Sequence, residues 1–394
     1  LAALTVALSA WAGLFSAVEY LRYHNPPRAL ALNANDAGAL VRNMDNQIQR
    51  VGQVPSANAL ADVAHRALRS APLSAGAVRL LAISEQLRGK AASSEQLLYL
   101  SSRLSRRDLG TQLALIEMMV QNNDIPKALE HYNIALTTAK DAEGILFPIL
   151  AEAIEDPVVG NAFISQVRAG HSWIGAFLSY AIRAGGHSQT VARILAASGA
   201  APRIDPNENI KSLLLVGLGA ERHFDTLRQT FLGMRGAKAE LLTAAGFNPD
   251  STKPTWAPVS WQLTGAAPLS VGFQRREASG ETTDLHVLLD SGAQLIAARK
   301  LLFLRPGTYH LRSNLQSQSW PAGADGRWAL KCALSAAEPT IWMGTFGSGG
   351  TMQTPTAIQV SSQCGVQYLD LIVTSPEGQS PLEFVISSPD LRAG

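Results

Sequence analysis

The chain has 394 residues, which at roughly 100–200 residues per domain allows two or three domains. Hydrophobic residues make up 46% and charged residues 16%, too apolar and too weakly charged for a disordered chain. A net charge of +2 with no long basic run speaks against nucleic acid as a partner.

Residues 1–18 carry no charge, and Glu19 is the first ionisable side chain. An apolar run of that length sits at the lower limit for crossing a bilayer core of about 30 Å. Three readings fit: a transmembrane anchor over 1–24, a signal peptide with Ala10-Trp11-Ala12 as cleavage site, or a buried Ala-rich helix. The run continues past Ala12 to Val18, which favours the anchor, with Tyr20, Tyr23, Arg22 and Arg28 at the interface. The expected location is then an inner membrane, crossed once, with a periplasmic body. Cys332 and Cys364 are the only cysteines, and they are too far apart in sequence for a metal motif. A disulfide between them suits an exported chain, and two buried thiols are the alternative.

Residues 25–247 read as an α-helical repeat domain. Leu113–Asp124 followed by Ile125–Leu136 reads as helix, tight turn, helix, with Asp124 as N-cap two residues before Pro126. Ala128, Tyr132 and Ala135 then line one face of the second helix. Stepping back 34 positions gives Ser94, Leu98 and Ser101, and another 34 gives Leu60, Ala64 and Ala67, with Pro72 shortly after. This small–aromatic–small pattern resembles the tetratricopeptide repeat. Further helices are expected at 157–167, 172–184, 188–197, 207–220 and 224–234. A helical array of this kind implies a surface for a protein partner.

Residues 248–260 read as a linker, and 261–394 as an antiparallel β-sandwich or jelly roll in two sheets. Six strands are expected, at 285–289, 300–304, 308–312, 328–332, 368–373 and 382–386, separated by turn signals such as Arg305-Pro-Gly307 and Ser375-Pro-Glu-Gly378. Leu304–Arg312 and the closing strand Glu383–Ser387 resemble jelly-roll carbohydrate-binding modules. Together, the anchor, the repeats and the sandwich resemble accessory proteins of bacterial exopolysaccharide synthesis and export. The fold class is thus α then β: a membrane helix, a helical solenoid and a sandwich.

A sugar site needs flat aromatic faces and planar hydrogen-bonding groups. Five of the seven tryptophans lie in the last 140 residues. Trp320, within Gln316–Pro321, is the leading candidate for a glycan. Trp342, ahead of the Gly344–Gly350 hairpin, and Arg312 follow, whereas strand parity puts Trp328 in the core. The Gly344–Gly350 run lacks the lysine of a phosphate loop, and no zinc or nucleophile-elbow motif appears. No cofactor or metal is therefore expected. Asp284, Asp290, Asp325, Glu338, Asp370 and Glu383 could in principle supply a glycosidase pair. The reading is a non-enzymatic, envelope-anchored scaffold of a cell-surface polysaccharide assembly, docking protein on its repeats and glycan or protein on its sandwich. A periplasmic glycan-active enzyme and a purely structural, protein-binding subunit are the alternatives.

Overall fold

The structure is a computed structural model that describes residues 2–52, 54–199, 209–275, 283–290, 292–346 and 357–394. Helices come first and antiparallel sheets follow, and the chain divides into two compact units at Trp173/Ile174.

The first unit holds α1 (Ala2–His24), α2 (Pro26–Leu32), α3 (Ala37–Val51), α4 (Ala57–Ser70), α5 (Ala75–Leu87), α6 (Ala91–Leu104), α7 (Leu109–Gln121), α8 (Ile125–Thr138), α9 (Ala142–Ala153) and α10 (Pro157–Ala169). Their starts follow local chemistry. Asp36, Ser56, Ser74, Asp124 and Asp156 each accept a backbone N–H of the first turn, which satisfies donors the helix itself cannot. Asp124 is the cap expected from sequence, 3.3 Å from the Lys127 N–H. The nine repeat positions of α4, α6 and α8 are all buried, Ala64, Ala67, Ser101 and Ala135 completely. Among the described residues no helix is long and apolar enough to cross a membrane. The side chains of residues 1–11, over which the anchor expectation extends, lie outside the described residues.

The helices of the second unit are α11 (Ile174–Ala184), α12 (Ser188–Ser198), α13 (Asn209–Ala220) and α14 (Phe224–Gly233). Segment 248–260 is folded into this unit. Ser251 is fully buried, its hydroxyl donating to the Gly246 carbonyl at 2.7 Å, and Trp256 packs edge-on against Phe231 of α14.

Among the described residues twelve strands follow: β1 (Gln262–Leu263), β2 (Leu269–Arg275), β3 (Thr283–Leu289), β4 (Ala293–Leu302), β5 (Gly307–Arg312), β6 (Leu315–Ser319), β7 (Asp325–Cys332), β8 (Thr340–Phe346), β9 (Ile358–Val360), β10 (Gln367–Ser375), β11 (Leu382–Ile386) and β12 (Asp390–Ala393). Among the described residues three sheets form where two were expected: β1-β4-β10-β7-β8, β2-β3-β11-β6 and β12-β5-β9. The third exists because β5 pairs with two short strands, β9 and β12, that carry too few apolar residues to stand out in sequence. All three sheets contribute to one core, through residues such as Leu285, Trp328, Leu371, Phe384, Leu311 and Ile358. Cys332 ends β7 and bonds to Cys364, with the two Cα atoms 5.6 Å apart. Cys364 lies outside β10, in the turn before it, where the alternation of the strand does not constrain its side chain. The part of the Gly344–Gly350 hairpin beyond Phe346 lies outside the described residues; Gly344 itself is a buried residue of β8.

Candidate functional site

The residues expected to meet glycan fall on three different elements. Arg312 ends β5 and is exposed. Trp342 is 8% exposed, because β8 turns Trp342, Gly344 and Phe346 to the inner face of its sheet, so it offers no open ring face for a sugar. Trp320 follows the edge strand β6 and is partly buried. Its ring lies 5.8 Å from that of Phe384, and a Cβ on Gly326 would come within 3.2 Å of its edge. Trp256, Trp261 and Trp328 are buried, and Trp261 donates its indole N–H to the Ala245 carbonyl at 3.1 Å. Of the five C-terminal tryptophans, Trp320 alone is only partly buried.

The carboxylates resolve into ion pairs. Asp370 on β10 is fully buried and stands directly across from Arg299 on β4. Arg299 grips it with two bonds of 2.8 and 2.9 Å, and Lys331 of β7 adds a third contact at 2.9 Å. Glu338 takes the other side of the same guanidinium at 2.9 Å, which lies 4.4 Å over the Tyr368 ring. Burial alone would lower the Arg299 pKa, but the two carboxylates outweigh it and hold the cation firmly charged. The turn after β7 is tied down as well: Arg222, which follows α13, donates to the carbonyls of Ala333 and Ser335. Glu383 accepts from His286 at 2.9 Å, if that ring nitrogen carries the proton, and Asp325 pairs with Arg327 at 3.2 Å. A general acid needs a carboxyl whose proton is retained near neutrality. Glu338 and Asp370 instead share one guanidinium as their ion-pair partner.

One titratable group in the sandwich was not foreseen. Lys300 has the strand parity of Ala298 and Leu302, is completely buried, and donates to the Val259 carbonyl at 2.6 Å. Burial pushes its pKa down to about 7.

In the helical unit, Arg79 of α5 is 4% exposed and bridges two carboxylates, Asp45 of α3 at 2.9 Å and Asp108 at 3.0 Å. Asp108 precedes α7, whose second residue, Gly110, would bring a Cβ within 2.7 Å of that guanidinium. Arg22 of α1 treats Asp36 the same way, packing over Gly38 with bonds of 2.8 and 2.9 Å. Between them, Val41 of α3 rests on Gly76 of α5 in an uncharged version of the contact. The signal for this seam was present as Asp36-Ala-Gly38, Ser74-Ala-Gly76 and Asp108-Leu-Gly110. The 34-residue pattern of α4, α6 and α8 does not expose it, because those second helices carry no glycine. Against known proteins, no family model matches the chain, and no curated protein matches it.

Proposed function

We propose that the chain is a non-enzymatic scaffold of a cell-surface polysaccharide assembly, with tetratricopeptide-like helices that dock a protein and a sandwich that contacts glycan or a second protein. The recurring glycine seam carries this reading: Gly38, Gly76 and Gly110 each receive a side chain from a preceding helix, as expected when one structural unit is stacked repeatedly. The disulfide supports an oxidising compartment. Attachment to the inner membrane through Leu1–Val18, with a periplasmic body, completes the proposal. Exposed Phe15, Tyr20 and Tyr23 beside Arg22 and Arg28 suit a membrane interface. The pairing of Asp370, Glu338 and Asp325 with arginine side chains, and the contact of Glu383 with His286, favour a binding sandwich over a hydrolase. Trp320, beside the exposed Gln316 and Gln318, is the proposed glycan contact, with Arg312 as a charged neighbour in sequence.

Incubation of the full chain with polysaccharide from its own host tests this. The expected result is saturable binding without new reducing ends or unsaturated sugars. Trp320→Ala is expected to weaken binding several-fold, a stacked ring being worth on the order of 1 kcal/mol beyond its buried area. Because the ring also packs on Phe384, the same change should cost about 1–3 kcal/mol of stability, less than a fully buried tryptophan. Release of oligosaccharide would put the enzyme reading first.

A further inference from the structure

We infer that the outer face of α4 and α6 docks an acidic, partly apolar segment of a partner protein; this rests on the scaffold reading and supplies the chemistry of its partner. Two open depressions of roughly 760 and 730 Å³ lie on these helices. The first is lined by Asp62, His65, Arg66, Leu68 and Arg69. The second is lined by, among others, Gln96, Tyr99, Leu100, Ser102 and Arg103, each 34 positions after its counterpart in the first. Successive repeats therefore open a depression at the same place, and Arg69 and Arg103 are the residue type the two share.

At the next repeat that place is already taken. His65 and Tyr99 are followed by Asn133 of α8, whose side-chain oxygen accepts the indole N–H of Trp173 at 2.9 Å. Trp173 is 3% exposed and packs beside Phe163 of α10. The chain thus covers one of the three positions with its own aromatic side chain and leaves two open.

Charge selects the occupant of the open pair. Arg69 and Arg103 are exposed equivalents, and neither has a carboxylate partner among the described residues. Arg66 donates one N–H to the Ala34 carbonyl at 2.9 Å, which leaves its charge uncompensated. Three guanidiniums thus line the two depressions against one carboxylate, Asp62. Guanidinium groups take carboxylates with paired hydrogen bonds, and such complementarity sets partner choice and encounter rate. Leu68, Leu100 and Tyr99 add apolar surface between the cations. Ser102 accepts from Gln112 at 3.1 Å, and Gln112 in turn meets His131 at 3.0 Å. That buried chain holds the Ser102 hydroxyl in place and leaves its own O–H to donate. A peptide with carboxylates flanking apolar residues satisfies all of these groups.

The test uses the full chain and a fluorescein-labelled peptide of alternating glutamate and leucine, read by polarisation in low salt. A lysine–leucine peptide is the sign control and polygalacturonate the competing polyanion. The acidic peptide is expected to bind saturably and to weaken as salt rises. The double change Arg69→Glu, Arg103→Glu should weaken it by at least about tenfold with melting unchanged, while Arg235→Glu, an exposed arginine that lines neither depression, leaves it unaltered. Arg69→Gln with Arg103→Gln is the fallback pair if charge reversal perturbs folding, with a smaller loss in the same direction. Equal binding by these variants, or no saturable binding of the acidic peptide, overturns the inference. Tighter binding of polygalacturonate, lost on the same reversals, would also overturn it in favour of an acidic polysaccharide. None of these results depends on Trp320, so failure of the glycan reading is seen separately.

Discussion

Lys300 is the residue whose behaviour the structure constrains most tightly. A lysine enclosed among apolar side chains with a single carbonyl partner favours its neutral form, and its pKa falls from 10.5 to about 7. In the unfolded chain it keeps its proton to near pH 10.5. Between these values the unfolded state binds more protons than the folded one, so this group's contribution to stability rises with pH from about 7 to about 10. Below pH 7 the folded protein carries the full penalty. Lys300→Met removes the charge and nearly preserves the volume. It is expected to stabilise the protein by roughly 1–3 kcal/mol at pH 6, with the advantage shrinking towards pH 10. Denaturant melts of both proteins at the two pH values check this, and an advantage independent of pH would contradict the assignment. Arg79 is also buried but is matched by Asp45 and Asp108, and burial with matched partners keeps it charged at every accessible pH.

Glycine positions give the test at the level of elements. In α7, Gly110→Ala would place a methyl group 2.7 Å from the Arg79 guanidinium, which cannot withdraw without leaving both carboxylates. A loss of about 1–3 kcal/mol is expected. Gly144, in the first turn of α9, has open space where its Cβ would lie, so Gly144→Ala should stabilise by up to about 1 kcal/mol. Thermal melts of the two variants should therefore shift in opposite directions; a shift of Gly110→Ala in the stabilising direction would remove the seam from the argument. The helices were legible in sequence because their signals are local: Asp124 caps the helix it precedes, and the positions of Ala128, Tyr132 and Ala135 have buried, uncharged counterparts 34 and 68 residues earlier. The seam was not, because a glycine inside a helical pattern reads as a weak point until the side chain above it is known. Strand β6 was missed for a related reason. Leu-Gln-Ser-Gln-Ser has one apolar residue, enough for an edge strand that buries only Leu315. Trp320 stands just beyond the end of that strand. The Arg299–Asp370 pair spans 71 positions, so nothing short of strand register could bring it together. Lys300 was hidden by the habit of assigning lysines to the surface.

For the molecule as a whole, the two units carry different kinds of surface. The helical unit opens a depression at the same place on successive repeats, which suits a ligand that runs along it. The sandwich keeps its tryptophans inside, with Trp320 the exception, and ties its carboxylates to cations. Both features support the proposed binding role. The most direct measurement is photo-cross-linking in the host cell, with a photoreactive amino acid at Leu100 on α6 and, as reference, at Thr308 on β5. The account predicts a discrete protein adduct from Leu100 that disappears when Arg69 and Arg103 are reversed to glutamate, and that the Thr308 position does not share. Cross-linking from Leu100 that yields no protein adduct, or the same adducts from both positions irrespective of the arginines, would contradict it.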